Sequence, residues 1–241
     1  MDLKIKNKKA LILGSSSGLG FAIAKALSDE GVHVAITSRE FSRAKEAADK
    51  LPNATPYACD LLAKDAGKNI IESVGLVDIL VTNAGGPPMG NFLDLSPADW
   101  KKGYHGLWMS AIQAIQAALP HMQKQKWGRI ILSTSTSSKQ PIPELTISNA
   151  YRPGLLGVMK TVAMEVASDS VTVNAIMPGS THTRRMDDFK VPIEELAEQV
   201  PAKRLGKPEE FAALATFLAS EHAAYITGQA IACDGGLIRG I

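Results

Sequence analysis

Seven short runs punctuate the chain, and most of their residues are hydrophobic: "KALILG", "HVAIT", "ATPYAC", "DILVTN", "GRIILST", "VTVNAIMPG" and "QAIACDGG". A strand with one face in water alternates apolar and polar residues, whereas a strand that reads apolar throughout is covered on both faces. Between the runs lie longer stretches with helical periodicity, among them "GLGFAIAKALSDEG", "DWKKGYHGLWMSAIQAIQAALPHMQKQ", "LLGVMKTVAMEVAS" and "PEEFAALATFLAS". Two-sided strands alternating with helices leave few architectures open. Right-handed crossovers build a doubly wound parallel sheet with helices on both faces. No linker, repeat or low-complexity segment interrupts the pattern, so residues 1–241 read as a single α/β domain.

Composition narrows the partners. Hydrophobic residues make up 45% and charged residues 21%, an ordinary balance for a globular chain with a sizeable core. The 26 basic and 24 acidic side chains leave a formal charge of +2, which suggests neither a nucleic-acid nor a membrane partner. Lys4, Lys6, Lys8 and Lys9 read as a solvated lead-in to the first strand. Cys59 and Cys233 do not make a disulfide framework, and a reducing cytoplasmic location is expected. No apolar stretch reaches the roughly 18 residues of a membrane span, and the N-terminus lacks a secretory apolar segment. No metal site is expected. Residues 181–201 mix charges without strong periodicity and read as the flexible part of the chain.

The first strand runs into a glycine-rich turn, "LILGSSSGLGFAIAKAL", in which Gly14, Gly18 and Gly20 give the spacing GxxxGxG. Glycines let a backbone turn tightly and approach a pyrophosphate, and the following helix offers free N–H groups and a positive dipole end. It reads as the cradle of a Rossmann-type dinucleotide-binding sheet, with a plain strand-helix turn as the alternative. Gly14, Ser16, Ser17, Gly18, Leu19 and Gly20 are its candidate cofactor contacts, with Ser15 a further hydroxyl donor. The second strand ends in Ser38 and Arg39, where a carboxylate would accept from ribose hydroxyls and repel a 2′-phosphate. A guanidinium suits a phosphate, so NADP is expected over NAD. Asp60 and Leu61 follow the third strand, and Asp60 is placed to accept from an adenine amino group. Asn83, Ala84 and Gly85 follow the fourth, where small residues admit the cofactor and Asn83 braces the turn.

With these motifs in place the chain resembles the short-chain dehydrogenase/reductase family, and within it the 3-oxoacyl-acyl-carrier-protein reductase branch. The resemblance spans nearly all 241 residues: the glycine turn, Asp60, "NAG" at 83–85, "VNAIMPG" at 173–179, "RLGKPEE" and "ITGQAIACDGG". Leu13 departs from it, standing where a threonine usually precedes the first glycine. The resemblance implies strand order 3-2-1-4-5-6-7, a homo-tetramer, a small-molecule carbonyl or alcohol substrate, and cofactor contacts at Pro178, Gly179, Thr181 and Thr183, the last to the nicotinamide carboxamide. A tetramer also suits "GLWMSAIQAIQAAL", which is apolar over more than one helical face.

The family's chemistry uses a tyrosine acid, a lysine, a serine and an asparagine. Anchored on "GRIILSTS" and "GLLGVMKTVAMEVA", the serine position falls on Ser135, the tyrosine position on Ser148, the lysine position on Arg152 and the asparagine position on Leu107. The resemblance therefore carries over Ser135 and replaces YxxxK by SxxxR. Arg152 can hold ribose hydroxyls but cannot relay a proton, and a serine hydroxyl is far too weak an acid to stand in for a phenol unaided. Tyr151 is the obvious substitute acid, yet three helical residues from Ser148 turn through about 300° and rise about 4.5 Å. Ser148 and Asn149 also read as helix N-cap residues, with Pro153 near the helix start. Lys139, His105 and His182 are further candidate proton donors, Pro141 and Pro143 stiffen the intervening loop, and Arg184 and Arg185 would suit an acyl-carrier-protein substrate.

Two readings follow: an NADP-dependent oxidoreductase with altered catalytic residues Ser135, Ser148, Arg152 and Tyr151, or a catalytically impaired nucleotide-binding pseudoenzyme serving as sensor or assembly partner.

Overall fold

The computed structural model describes residues 1–183 and 192–240. All seven apolar runs form strands: β1 (Lys9–Ile12), β2 (His33–Ser38), β3 (Ala54–Ala58), β4 (Ile79–Thr82), β5 (Gly128–Ser133), β6 (Val171–Pro178) and β7 (Ala230–Cys233). They make one sheet in the order β3-β2-β1-β4-β5-β6-β7, parallel at every pairing.

The strands read apolar throughout because alternate residues feed two separate cores. Ala10 and Ile12 of β1, Ile36 of β2, Val81 of β4 and Ile131 of β5 are buried on one face, against α1 (Gly18–Asp29), α2 (Phe41–Ala48) and α8 (Pro208–Ala219). Leu11, Ala35, Leu80 and Ile130 are buried on the other, against α3 (Ala66–Val74), α5 (Ser110–Lys124) and α6 (Thr146–Val166). Chain direction across the sheet reverses between β1 and β4. In a doubly wound sheet the crevice at that switch point, beyond the carboxyl ends of the strands, is where ligands bind.

Two helices depart from the sequence reading. The stretch "DWKKGYHGLWMSAIQAIQAAL" is not one regular helix. It runs as α4 (Pro97–Gly103), a π-helical turn over Tyr104–Met109, and α5. Gly103 lies hard against Ile147 of α6, and a side chain there would collide with it. Second, α6 starts at Thr146, so Ser148 is inside the first turn and does not cap it. Asn149 grips the preceding loop instead: its Oδ1 accepts from the Ile142 amide at 3.1 Å, and its Nδ2 donates to the Ile142 carbonyl at 2.8 Å. Pro153 sits within the helix. Its cost is the N–H that would have bonded the Asn149 carbonyl. The short α7 (Ile193–Gln199) forms within 181–201 although that stretch has no strong periodicity. Residues 184–191 of that stretch, including Arg184 and Arg185, lie outside the described residues.

Candidate active site

The glycine turn is built as a cradle. Ser15 faces inward: its Oγ donates to the Ile12 carbonyl at 2.7 Å and accepts from the Thr37 amide at 2.9 Å, tying β1 to β2. Thr37 Oγ1 accepts from the Gly14 amide at 2.8 Å. Asn83 braces the turn from β4, with Nδ2 donating at 3.1 Å to the carbonyls of both Leu13 and Gly14. Gly20 does not line either of the two cavities of the crevice. It is there for close approach, because a Cβ would stand 2.5 Å from the Gly14 carbonyl oxygen. Gly18 has a φ of +57°, and a Cβ on it would point into the crevice, meeting nothing nearer than Thr183 at 3.8 Å. The helix α1 starts at Gly18 with no side-chain cap and no acidic residue in its first turn. Its unpaired N–H groups and positive dipole end therefore face open space, the arrangement that receives a phosphate.

Two adjoining cavities run along the switch point, about 660 and 290 Å³ in volume. Ser16, Ser38, Arg39, Asp60 and Leu61 line the larger. Gly18, Leu19, Asn83, Pro178, Gly179 and Thr181 line the smaller. Thr183 stands there too, and Gly14, Ser17, Ala84 and Gly85 border both. Cys59, beside Asp60 in the larger cavity, has its thiol pushed up to about 11, first by burial and then by the Asp60 charge.

Ser135, Ser148 and Arg152 line the smaller cavity. Arg152 lies along the end of β5, with Nη1 donating to the carbonyls of Ser133 at 3.2 Å and Thr134 at 2.6 Å. Its Nε donates to Ser148 Oγ at 3.0 Å. Ser148 Oγ is in turn 2.9 Å from Ser137 Oγ. Since Ser148 accepts from a guanidinium, its own proton is left for Ser137 or for a substrate oxygen. Ser135 caps the 3₁₀ turn Thr136–Ser138, its Oγ accepting from the Ser137 amide at 3.1 Å.

Tyr151 lines neither cavity. One residue before Arg152, about 100° round the helix, it packs at ring-centroid distances of 6.0 Å from Trp100, 6.3 Å from Tyr104 and 6.5 Å from Trp108. Its ring thus packs within an aromatic group and does not line the crevice. Leu107, at the asparagine position, is buried in the π-helical turn and borders the larger cavity without a side-chain polar group. Lys139 is exposed, His182 faces a different groove, and His105 packs on Tyr104. Ser137 has no periodic or motif signal in the sequence, and neither does Arg43, which borders the larger cavity from α2.

The chain belongs to the short-chain dehydrogenase/reductase family: the family model described as enoyl-(acyl carrier protein) reductase matches residues 14–238. It is 33% identical to dehydrogenase/reductase SDR family member 4 of Sus scrofa, over 96% of this chain and 88% of that one. It is 36% identical to the 3-oxoacyl-[acyl-carrier-protein] reductase FabG of Aquifex aeolicus, over 98% of this chain and 100% of the other. Among solved structures, L-sorbose reductase from Gluconobacter frateurii, complexed with NADPH and L-sorbose, superposes with a TM-score of 0.93 at 32% identity, covering 100% of both chains. YwfH, an NADPH-dependent reductase involved in bacilysin biosynthesis, gives 0.91 at 29% identity over 98% of this chain and 100% of its own.

Proposed function

We propose that this chain is an NADP-dependent oxidoreductase acting on a carbonyl or alcohol substrate, similar to a 3-oxoacyl reductase, with a rebuilt proton-donor site. The observation that carries the reading is the uncapped start of α1 at the glycine turn, which opens on the same cavity that Ser135, Ser148, Arg152 and Thr181 line. Relatives whose names or structures specify NADPH support the cofactor, and the donor set fits it. Ser16, Ser17 and the start of α1 would hold the pyrophosphate, Ser38 and Arg39 the 2′-phosphate, and Asp60 with Leu61 the adenine. Arg152 would hold the nicotinamide ribose, with Pro178, Gly179, Thr181 and Thr183 around the nicotinamide.

NADPH, when bound, supplies a hydride to a carbonyl carbon. The protein's share is then to handle the charge left on the oxygen. Ser135 and Ser148 would hydrogen-bond that oxygen, and the Arg152 cation beside Ser148 would stabilise its developing charge. Neither Arg152 nor the serines can supply the proton at neutral pH, so it comes from water. Losing a positioned acid costs about 10²–10⁴-fold in rate, and this chain is accordingly a slow reductase of simple 3-oxoacyl esters. Titration of the purified protein with NADPH and NADH, followed by a panel of carbonyl substrates, tests the reading. Absence of NADPH binding would overturn it. NADPH binding with no turnover on any carbonyl would favour the sensor or assembly reading, which the engagement of Ser148 by both Arg152 and Ser137 supports.

A further inference from the structure

A second cation stands at the adenosine end of the crevice. Arg43, in the first turn of α2, lines the larger cavity together with Ser38 and Arg39. It also lines the neighbouring groove on the far side of Ser16 and Ser17. Ser16 and Ser17 of the glycine turn line both spaces as well. Its Nε donates to Glu40 Oε2 at 3.1 Å, and the two side chains are 65% and 60% exposed. An exposed pair of this kind holds only weakly. A guanidinium so held is free to exchange its carboxylate for a stronger anion, and a phosphate monoester, with more charge and more acceptor oxygens, is one.

We infer that Arg43 is a second ligand of the cofactor's 2′-phosphate, and that Glu40 tunes the choice between cofactors. The inference rests on the reading that the crevice holds NADP. With a 2′-phosphate present, Arg39 and Arg43 both reach the ester, and Arg43 leaves Glu40. With a 2′-hydroxyl, Arg43 stays on Glu40 and contributes nothing to binding. Glu40 borders the same cavity. Its carboxylate therefore both competes for Arg43 and repels the phosphate, which lowers the gain from the two arginines.

Isothermal titration with 2′,5′-ADP and with 5′-ADP isolates this subsite from the nicotinamide chemistry. Arg43→Ala should weaken 2′,5′-ADP by about tenfold, the scale of one charge-assisted hydrogen bond at an exposed site, and leave 5′-ADP nearly unchanged. Arg43→Lys should recover part of the loss, because the charge returns without the fork. Glu40→Gln should tighten 2′,5′-ADP, and raising the salt concentration should shrink every one of these differences. Arg43→Ala that leaves 2′,5′-ADP unchanged, or weakens both nucleotides equally, overturns the inference while the cofactor reading stands. Wild type that binds no NADPH overturns both.

Discussion

Arg39 and Cys59 face the same cavity and give it opposite chemical characters. Arg39 brings a permanent charge to the end of β2, and Arg39→Asp should reverse the preference from NADP(H) to NAD(H). Equal affinities for the two cofactors in wild type, read by fluorescence titration, would contradict its assigned role. Cys59 is kept neutral: burial and the Asp60 charge raise its pKa from about 9 to about 11. A thiol whose folded pKa is raised is stabilising below its unfolded pKa, and that contribution is lost as the pH rises between the two values. Iodoacetamide should therefore label Cys59 slowly at pH 8 and more rapidly as the pH approaches 11, because the thiolate is the nucleophile. Rapid labelling of Cys59 at pH 8 in the folded protein would show that the thiol is not protected in this way.

At the scale of elements, the crevice depends on how the turn after β1 is held. Asn83 supplies two of the bonds that fix it, to the carbonyls of Leu13 and Gly14. Asn83→Ala removes both donors and should cost about 1–3 kcal/mol of stability, with NADPH binding weakened in the same variant. A urea titration showing no loss would mean that the turn is held without it. The strands were legible as continuous apolar runs, because residues such as Leu11 and Ile12 supply different cores and both must be apolar. The start of α6 was not legible: Pro153 signals a helix start, but packing of the long helix outweighs one lost hydrogen bond, so the true first turn lies upstream. The π-helical turn at Tyr104–Met109 was hidden as well, since an apolar run with helical spacing carries no mark of an inserted residue. The glycine turn, Arg39 and Asp60 were readable as local motifs. Ser137 and Arg43 acquire their positions only through the packing of α6 and α2.

On the whole-molecule scale, α6 and the aromatic group beside it leave apolar surface that the sheet does not cover. Met164 on α6 is 71% exposed, and the aromatic group around Tyr151 extends to exposed Tyr104 and Phe92. We expect a homo-tetramer with twofold axes covering this side, measurable as mass by light scattering at micromolar concentration. A monomer mass would contradict it.

We propose that the dinucleotide crevice carries Ser148 and Arg152 at the place of its proton donor, while Tyr151 serves packing. Single-turnover oxidation of NADPH by a 3-oxoacyl ester tests it most directly. Oxidation should be slow in wild type, equally slow in Tyr151→Phe, and raised toward the roughly 10²–10⁴-fold worth of a general acid when Ser148→Tyr and Arg152→Lys are combined. Brisk wild-type turnover that Tyr151→Phe abolishes would contradict it.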